Sequence, residues 1–151
     1  KIVDYYNTIN QDDADFEKIE ELILPDATSE KMYITFADGS TSEALQVLSE
    51  GHIKILGLSI LLAKAVHDNL SFIIFDDIVN AIDDDHRNGV ADLLMNHVDF
   101  ANTQIILSTH GDQFIFKLQD KFSLEYQVIY LYTHLPLLQL HSLLMVRYKV
   151  L

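Results

Sequence analysis

Apolar and polar positions alternate along the chain in a pattern that predicts helices and strands in turn. From Ile53 to Val66 almost every position is apolar, which is typical of a largely buried helix. Short apolar runs at 71–75, 104–108 and 125–132 predict strands, and the periodicity of 84–98 predicts a helix between the first two of them. This order of elements predicts an α/β domain in which helices flank a parallel sheet.

The N-terminal part of the chain carries weaker signals. Residues 1–15 are polar and acidic, and they predict an exposed or loosely ordered lead-in. Phe16, Ile19 and Ile23 recur at helical spacing, which predicts a short helix that ends at Pro25.

A strand and a turn precede the main block of the chain, which covers residues 45–132. A leucine-rich segment, residues 133–151, follows this block. Residues 32–36 predict the strand, and Asp38-Gly39 the turn. The leucine-rich segment contains no clear signal that would end a helix. It predicts either a partner-binding helix or a tail unrelated to the core. For its leucines, ordinary core packing is favoured over a dedicated docking helix. We accordingly divide the chain into a lead-in, a main block and a tail, at 1–44, 45–132 and 133–151.

The composition is that of a globular protein. Its 151 residues suit one domain, and 49% of them are apolar against 22% charged. Ten basic residues stand against 23 acidic ones, for a net charge of −13, so the chain is a poor stand-alone partner for nucleic acid or an anionic membrane. The lack of cysteine excludes disulfides, cysteine-based zinc sites and thiol nucleophiles.

No targeting or membrane segment is evident in the sequence. There is no apolar run of the length that a membrane-spanning helix needs, and no signal peptide pattern at the start. We expect a cytoplasmic protein without a membrane partner. The first residue is Lys1 and not Met, so we also expect this chain to be a piece of a longer one.

Two acids follow the apolar run at 71–75. If this run is a parallel strand, Asp76 and Asp77 lie at its carboxyl end, the edge at which open α/β sheets bind ligands. This is the Walker B pattern, in which the first acid holds Mg²⁺ and the second orients the attacking water. Taken alone, the pair is more typical of a strand that ends in solvated acids.

Three further motifs accompany this pair: 48–52 (LSEGH) opens the long helix, 80–83 (NAID) follows the two acids, and 108–110 (STH) ends the next strand. Backbone N–H groups at Ser49 and Gly51 could hold an anion at a helix N-terminus, although Ser49 could simply cap the helix. His110 could likewise be a polar strand end that bonds to backbone.

In order and spacing the four motifs resemble the C-terminal half of an ABC-type ATPase, and most closely the SMC, RecN, RecF and SbcC group. That group includes many bacterial anti-phage defence ATPases. The resemblance covers about residues 45–118. Three positions depart from the family pattern: Glu50 and His52 replace the second Gly and the Gln of LSGGQ, and Asp77 replaces the usual Glu.

The resemblance implies a P-loop NTPase-like fold with ATP and Mg²⁺ as cofactors. In it, Asp76 is the metal ligand, and Asp77 and His110 are catalytic. Ser49 and Gly51 close on the ATP of a facing head, and Asp83 couples the two sites. The implied function is ATP hydrolysis by head dimerisation, coupled to DNA repair or phage defence.

The phosphate-binding P-loop of such a head is missing. None of the five glycines precedes a Lys-Ser or Lys-Thr pair, and no sustained heptads occur. We therefore expect the chain to be the second half of a head, active as an ATPase only when a P-loop half completes it. Its expected partners are that half, a second head in a homodimer, DNA through the wider assembly, and an effector protein as a further candidate.

Two other interpretations remain open. A metal-dependent nuclease could use an acidic cluster to hold two Mg²⁺ ions, from Asp76, Asp77, Asp83, Asp85 and His110. No upstream Glu-centred motif supports it, and the segment at 48–52 would go unexplained. The other alternative is a degenerate, non-catalytic interaction module, which the departures at Glu50 and Asp77 would favour.

Overall fold

The computed structural model describes residues 1–14, 16–76, 82, 84–109, 114, 118, 126–131 and 141–146. Contacts divide the chain into two units. The first comprises Lys1–Lys64 with Asp84–Leu93, and the second Ala65–Asp83 with Leu94–Leu151.

The first unit begins with a helix where the sequence predicts a loose lead-in. Helix α1 spans Ile2–Ile9 and buries Tyr5, Tyr6 and Ile9 almost completely. The prediction was wrong because the apolar residues sit three and four apart, on one helix face, among polar neighbours. The polar residues of α1 occupy its other side, and the average polarity of 1–15 hid the pattern.

A strand, and not the predicted helix, follows. Strand β1 spans Ile19–Ile23 and pairs antiparallel with β2, Tyr33–Phe36, which pairs in turn with β3, Thr41–Glu43. The Asn7 side chain holds the start of β1, because its amide donates to the Ile19 carbonyl at 2.8 Å and its oxygen accepts from the Ile19 N–H at 3.2 Å. These tertiary bonds override the helical spacing of the apolar residues.

The predicted strand at 32–36 and the turn after it are confirmed. Gly39 adopts a positive φ of 84°, a conformation that glycine tolerates without steric cost. Asp38 accepts a hydrogen bond from the Ser40 N–H at 2.8 Å, and hydrogen bonds from the side chain and backbone of Ser40 lower the pKa of Asp38. Strands β2 and β3 thus form a hairpin around a turn held by its own acid.

Three further helices follow along the chain. Helix α2 spans Ala44–Val47, α3 spans Glu50–His67 and α4 spans Asp84–Asn96. The predicted helices at 53–66 and 84–98 are therefore confirmed, although α4 ends earlier and a short 3₁₀ turn covers Val98–Phe100. Inside α3 the buried Ser59 hydroxyl donates to the Ile55 carbonyl at 2.8 Å.

The core of the first unit depends on one close approach. A Cβ atom on Gly89 of α4 would lie 2.0 Å from the carbonyl oxygen of Ile9, at the end of α1. Only glycine permits the two backbones to come this near. The buried apolar side chains of this unit are Tyr5, Tyr6, Ile9, Ile19, Ile34, Ala44, Ile55, Leu56, Leu58, Leu62, Val90, Ala91 and Leu93.

The second unit is built on a four-stranded sheet of order β4-β5-β7-β6. Strands β4, Phe72–Asp76, and β5, Gln104–Thr109, are parallel, as predicted. Strand β6 spans Tyr126–Leu131, and β7 spans His141–Val146 and pairs antiparallel with both β5 and β6. The expectation of a helix within 133–151 was wrong over β7, which supplies an inner strand. The parallel pair therefore belongs to a mixed sheet.

The two faces of the β4–β5 pair differ in burial. Phe75, Ile105 and Leu107 are buried, and so are Phe100, Phe114 and Leu118 of the same unit. On the other face, Phe72 and Ile74 of β4 remain 53% and 60% exposed. The sequence predicts a fully buried strand, and this is correct for one face only. None of the helices in the described residues is long and apolar enough to cross a membrane.

Candidate functional site

The first part of the candidate site lies at the carboxyl end of the parallel strands. Asp76 is the last residue of β4, and the strand register places it beside Ser108 of β5. The Ser108 hydroxyl donates to Asp76 Oδ1 at 2.8 Å. Since only one oxygen receives this bond and the residue is exposed, the carboxylate remains accessible to a hydrated cation. The predicted metal ligand thus has a fixed position at the predicted edge.

Asp76 shares its sheet face with the exposed apolar residues. Side chains alternate along a strand, so Phe72, Ile74 and Asp76 point to one side of β4. The register sets Ile74 opposite Ile106 and Asp76 opposite Ser108. An apolar surface therefore leads along the strand pair to the carboxylate.

Three other predicted residues lie outside the described part of the chain. These are the catalytic candidates Asp77 and His110 and the coupling residue Asp83. The side chain of Asp85, which the nuclease alternative invokes, is likewise not described. Their predicted roles stay predictions.

The predicted ATP-contacting residues Ser49 and Gly51 stand at the start of α3, in the first unit. The Ser49 hydroxyl accepts a hydrogen bond from the His52 N–H at 3.2 Å, and the Ser49 carbonyl accepts from the Ile53 N–H at 2.9 Å. Ser49 therefore caps the helix, which was the alternative to an anion site. The two roles are compatible, since Ser49 is exposed and Gly51 is half-buried.

Glu50, one of the departures from the family pattern, turns away from this helix start. Its carboxylate lies 2.8 Å from Lys54 Nζ one turn later, and its side chain is 85% exposed. The hydrogen bond and the charge of Lys54 lower the pKa of Glu50. The carboxylate that this motif adds is thus paired with a lysine on the helix surface.

His52, the other departure in this motif, belongs to a cluster that the sequence did not predict. Its Nε2 lies 3.0 Å from Oδ2 of Asp13, and its Nδ1 lies 3.1 Å from the Ser49 hydroxyl. His86 Nε2 lies 3.6 Å from the same Asp13 oxygen. The side-chain ligand atoms of Asp13, His52 and His86 are all within 4.8 Å of one another.

The cluster joins three segments that are distant in sequence. Asp13 follows α1, His52 lies in the first turn of α3 and His86 in the first turn of α4. No spacing rule could have brought them together, and the only sequence signal was a histidine where the resembling family has Gln. The two imidazoles meet nearly edge to face, with centroids 5.4 Å apart and planes at 79°.

Aromatic residues line one side of the cluster. The rings of Tyr6 and Phe16 lie 6.2 and 6.4 Å from the His52 ring, centroid to centroid. Burial, and then the negative charge of Asp13, raise the pKa of Tyr6 well above its ordinary value. The phenol therefore stays neutral beside the carboxylate over the physiological range.

The fold has a counterpart among known structures. No protein-family model and no curated protein matches the sequence. A solved structure described as "Structural biochemistry of ATP-driven dimerization and DNA stimulated activation of SMC ATPases" matches with a TM-score of 0.59 and 17% identity. The match covers 97% of this chain and 84% of that one. The predicted α/β fold is therefore confirmed as similar to that of an SMC ATPase head fragment.

Proposed function

We propose that this protein is part of an SMC-like ATPase head that binds and hydrolyses ATP as two heads dimerise. The observation that carries the proposal is the position of Asp76, fixed by Ser108 at the carboxyl end of a parallel strand, within a fold similar to that of SMC ATPases. A carboxylate at this edge is the acid that a Walker B strand supplies.

Different residues of this chain act in nucleotide binding and in hydrolysis. Asp76 would hold Mg²⁺, and the ion would supply positive charge against the phosphates. Asp77 accepts a hydrogen bond from the attacking water and aligns it, and His110 contacts the γ-phosphate. As the carboxylate of Asp77 is one methylene shorter than the usual Glu, we expect slow turnover.

The residues at the start of α3 act on the opposite nucleotide. Ser49 and Gly51 approach the γ-phosphate held by the facing head, where the hydroxyl and the helix N-terminus favour an anion. The pairing of Glu50 with Lys54 supports this role, because it holds the added carboxylate beside a cation one turn further along the helix. Asp83 connects the two sites of the dimer.

A P-loop half must complete each site, and the open face of β4 supports this requirement. Phe72 and Ile74 are apolar yet more than half exposed, and strands of parallel sheets are normally covered on both faces. We propose that the missing half covers this face and presents the β- and γ-phosphates to Asp76.

The wider role that we propose is DNA repair or phage defence. With a net charge of −13 this chain contributes little attraction for DNA, so DNA contacts belong to other parts of the assembly. The matched SMC ATPase is described as DNA-stimulated, and stimulation of the present ATPase by DNA is the corresponding expectation.

The test compares ATP binding and hydrolysis by this chain alone and together with its P-loop half. Hydrolysis should require both parts, and Asp77→Ala should abolish hydrolysis while ATP binding persists. Asp77→Glu should retain turnover, and Glu30→Ala, a change of an exposed acid far along the chain, should match the wild type. Equal loss of binding and hydrolysis in Asp77→Ala would contradict the assigned role. Metal-dependent DNA cutting without ATP would instead favour the nuclease alternative.

A further inference from the structure

We propose that Asp13, His52 and His86 form a binding site for a divalent transition-metal ion, with Zn²⁺ the ion that best suits the ligands. One carboxylate and two imidazoles are a common ligand set for zinc and are poorly suited to Mg²⁺ or Ca²⁺. The site lies within the first unit and uses neither Asp76 nor Asp77, so it is independent of the ATPase proposal.

The distances between the ligand atoms fit one small ion. Asp13 Oδ2 is 3.0 Å from His52 Nε2 and 3.6 Å from His86 Nε2, and all three ligand atoms lie within 4.8 Å of one another. Tetrahedral zinc with bonds of 2.0–2.1 Å keeps its ligand atoms about 3.3 Å apart. Small side-chain rotations would therefore place all three atoms at bonding distance, with a fourth position left for water.

Neighbouring groups already hold two of the ligands in place. The Ser49 hydroxyl lies 3.1 Å from Nδ1 of His52, which fixes the ring and directs Nε2 towards Asp13. A hydrogen bond at the second ring nitrogen is the usual support of a zinc-bound histidine. Asp13 sits in a turn closed by its own N–H bonding to Asn10 at 3.0 Å and by Phe16 N–H bonding to its carbonyl at 3.2 Å.

Burial strengthens the site. The side chains of Asp13, His52 and His86 are 20%, 15% and 6% exposed, and aromatic rings cover one side. Electrostatic attraction between an ion and a carboxylate is stronger in such surroundings than in water. An ion bound here would coordinate Nε2 of a neutral His52 imidazole that carries its proton on Nδ1, beside the Ser49 hydroxyl.

An ion at this position would tie the turn after α1 to the first turns of α3 and α4. It would also orient Ser49 through His52. The competing explanation needs no ion: the Asp13 carboxylate would simply accept hydrogen bonds from the imidazoles. The two accounts differ in one measurable property, the stoichiometric binding of metal.

The test is a Zn²⁺ titration of the whole protein after removal of metal with a chelator, with Co²⁺ absorption as a report of coordination. We expect one Zn²⁺ per chain. His52→Gln, His86→Gln and Asp13→Asn should each weaken binding by at least about tenfold, the range that even indirect supports of a metal ligand reach. His67→Gln, which changes an exposed histidine of the same helix α3, should bind as the wild type does.

Circular dichroism checks that each variant is folded. A crystal of the wild-type protein provides a test that does not depend on any variant. Crystals grown with Zn²⁺ should give an anomalous peak between Asp13, His52 and His86. The proposal is overturned if the wild type binds no stoichiometric Zn²⁺, if the three ligand variants bind as tightly as the control, or if the anomalous peak lies elsewhere.

Discussion

Asp76 and Ser108 stand 32 residues apart in sequence, yet their side chains are joined by a 2.8 Å hydrogen bond. The bond exists because β4 and β5 run parallel and in register, so that the two strand ends coincide. A carboxylate at the end of an isolated strand would rotate freely. Here the neighbouring strand selects one orientation, which makes Ser108 a positioning residue for the proposed Mg²⁺ ligand.

Replacing Ser108 should therefore slow hydrolysis without preventing assembly. Loss of one such hydrogen bond costs about 0.5–1.5 kcal/mol, which corresponds to a roughly two- to twelvefold lower rate of Mg²⁺-dependent ATP hydrolysis in the completed head for Ser108→Ala. Ser108→Thr keeps the hydroxyl and should retain most of the rate. Asp76→Asn, which removes the charge of the proposed metal ligand, should lower the hydrolysis rate far more than Ser108→Ala does. A Ser108→Ala rate equal to the wild type would show that the bond does not position the carboxylate.

The contact between Gly89 and Ile9 predicts a large effect on stability. Gly89→Ala would set a methyl group 2.0 Å from a backbone oxygen, so one of the two helices must move. We expect the free energy of unfolding to fall by about 1–3 kcal/mol or more, measured in urea. Gly57→Ala is the matched control, because it has open space around it in α3 and should stabilise by about 0.5–1 kcal/mol.

The pattern of apolar and polar residues correctly predicted the elements that depend mainly on their own local sequence. The long apolar run predicted α3. The short apolar run followed by two acids predicted β4, with Asp76 at its carboxyl end. The start of β1 depends on Asn7, twelve residues away, which no periodicity can reveal. Strand β7 owes its place to pairing with β5 and β6, so its leucines could equally have indicated a helix.

The same distinction applies to the site. Motif order predicted that Ser49, Gly51 and Asp76 lie at the ends of elements, and their positions agree with that, while their roles stay predictions. The partners of His52 come from two other segments, and only tertiary structure brings Asp13 and His86 to it. The sequence could mark His52 as an unusual residue in its motif, but it could not say what the imidazole contacts.

Ser49 allows helix capping to be separated from the proposed ATP contact. Ser49→Ala removes the acceptor for the His52 N–H and should cost about 1 kcal/mol in thermal or urea unfolding. Ser49→Asn supplies another good cap and should restore stability, yet its larger side chain should still impair ATP-driven dimerisation. If Ser49→Asn instead restored both properties, capping alone would account for the residue.

Tyr6 predicts how stability depends on alkaline pH. Burial and the charge of Asp13 raise its pKa in the folded state, whereas an unfolded tyrosine ionises near pH 10. Above that pH the unfolded chain releases a proton that the folded chain retains, so the free energy of unfolding should fall by about 1 kcal/mol between pH 10 and 11 from this residue. Tyr6→Phe should lack this part of the loss, and Tyr33→Phe should retain it. Parallel curves for Tyr6→Phe and the wild type would contradict the assignment.

The place of β7 in the sheet predicts that the C-terminal segment is indispensable. Leu143 is paired with Ser108 of β5 on one side and with Ile129 of β6 on the other, so its backbone belongs to an inner strand. Leu143→Pro removes a backbone donor from the ladder and should lower the free energy of unfolding by at least about 2 kcal/mol, because a carbonyl is left unpaired. Leu143→Val keeps the donor and the strand preference and should be tolerated. Hydrogen exchange of the β5 amides provides a second readout, since these amides should lose protection in the proline variant. Unchanged stability and protection would mean that the segment after residue 132 lies outside the sheet and is the unrelated tail that the sequence allowed.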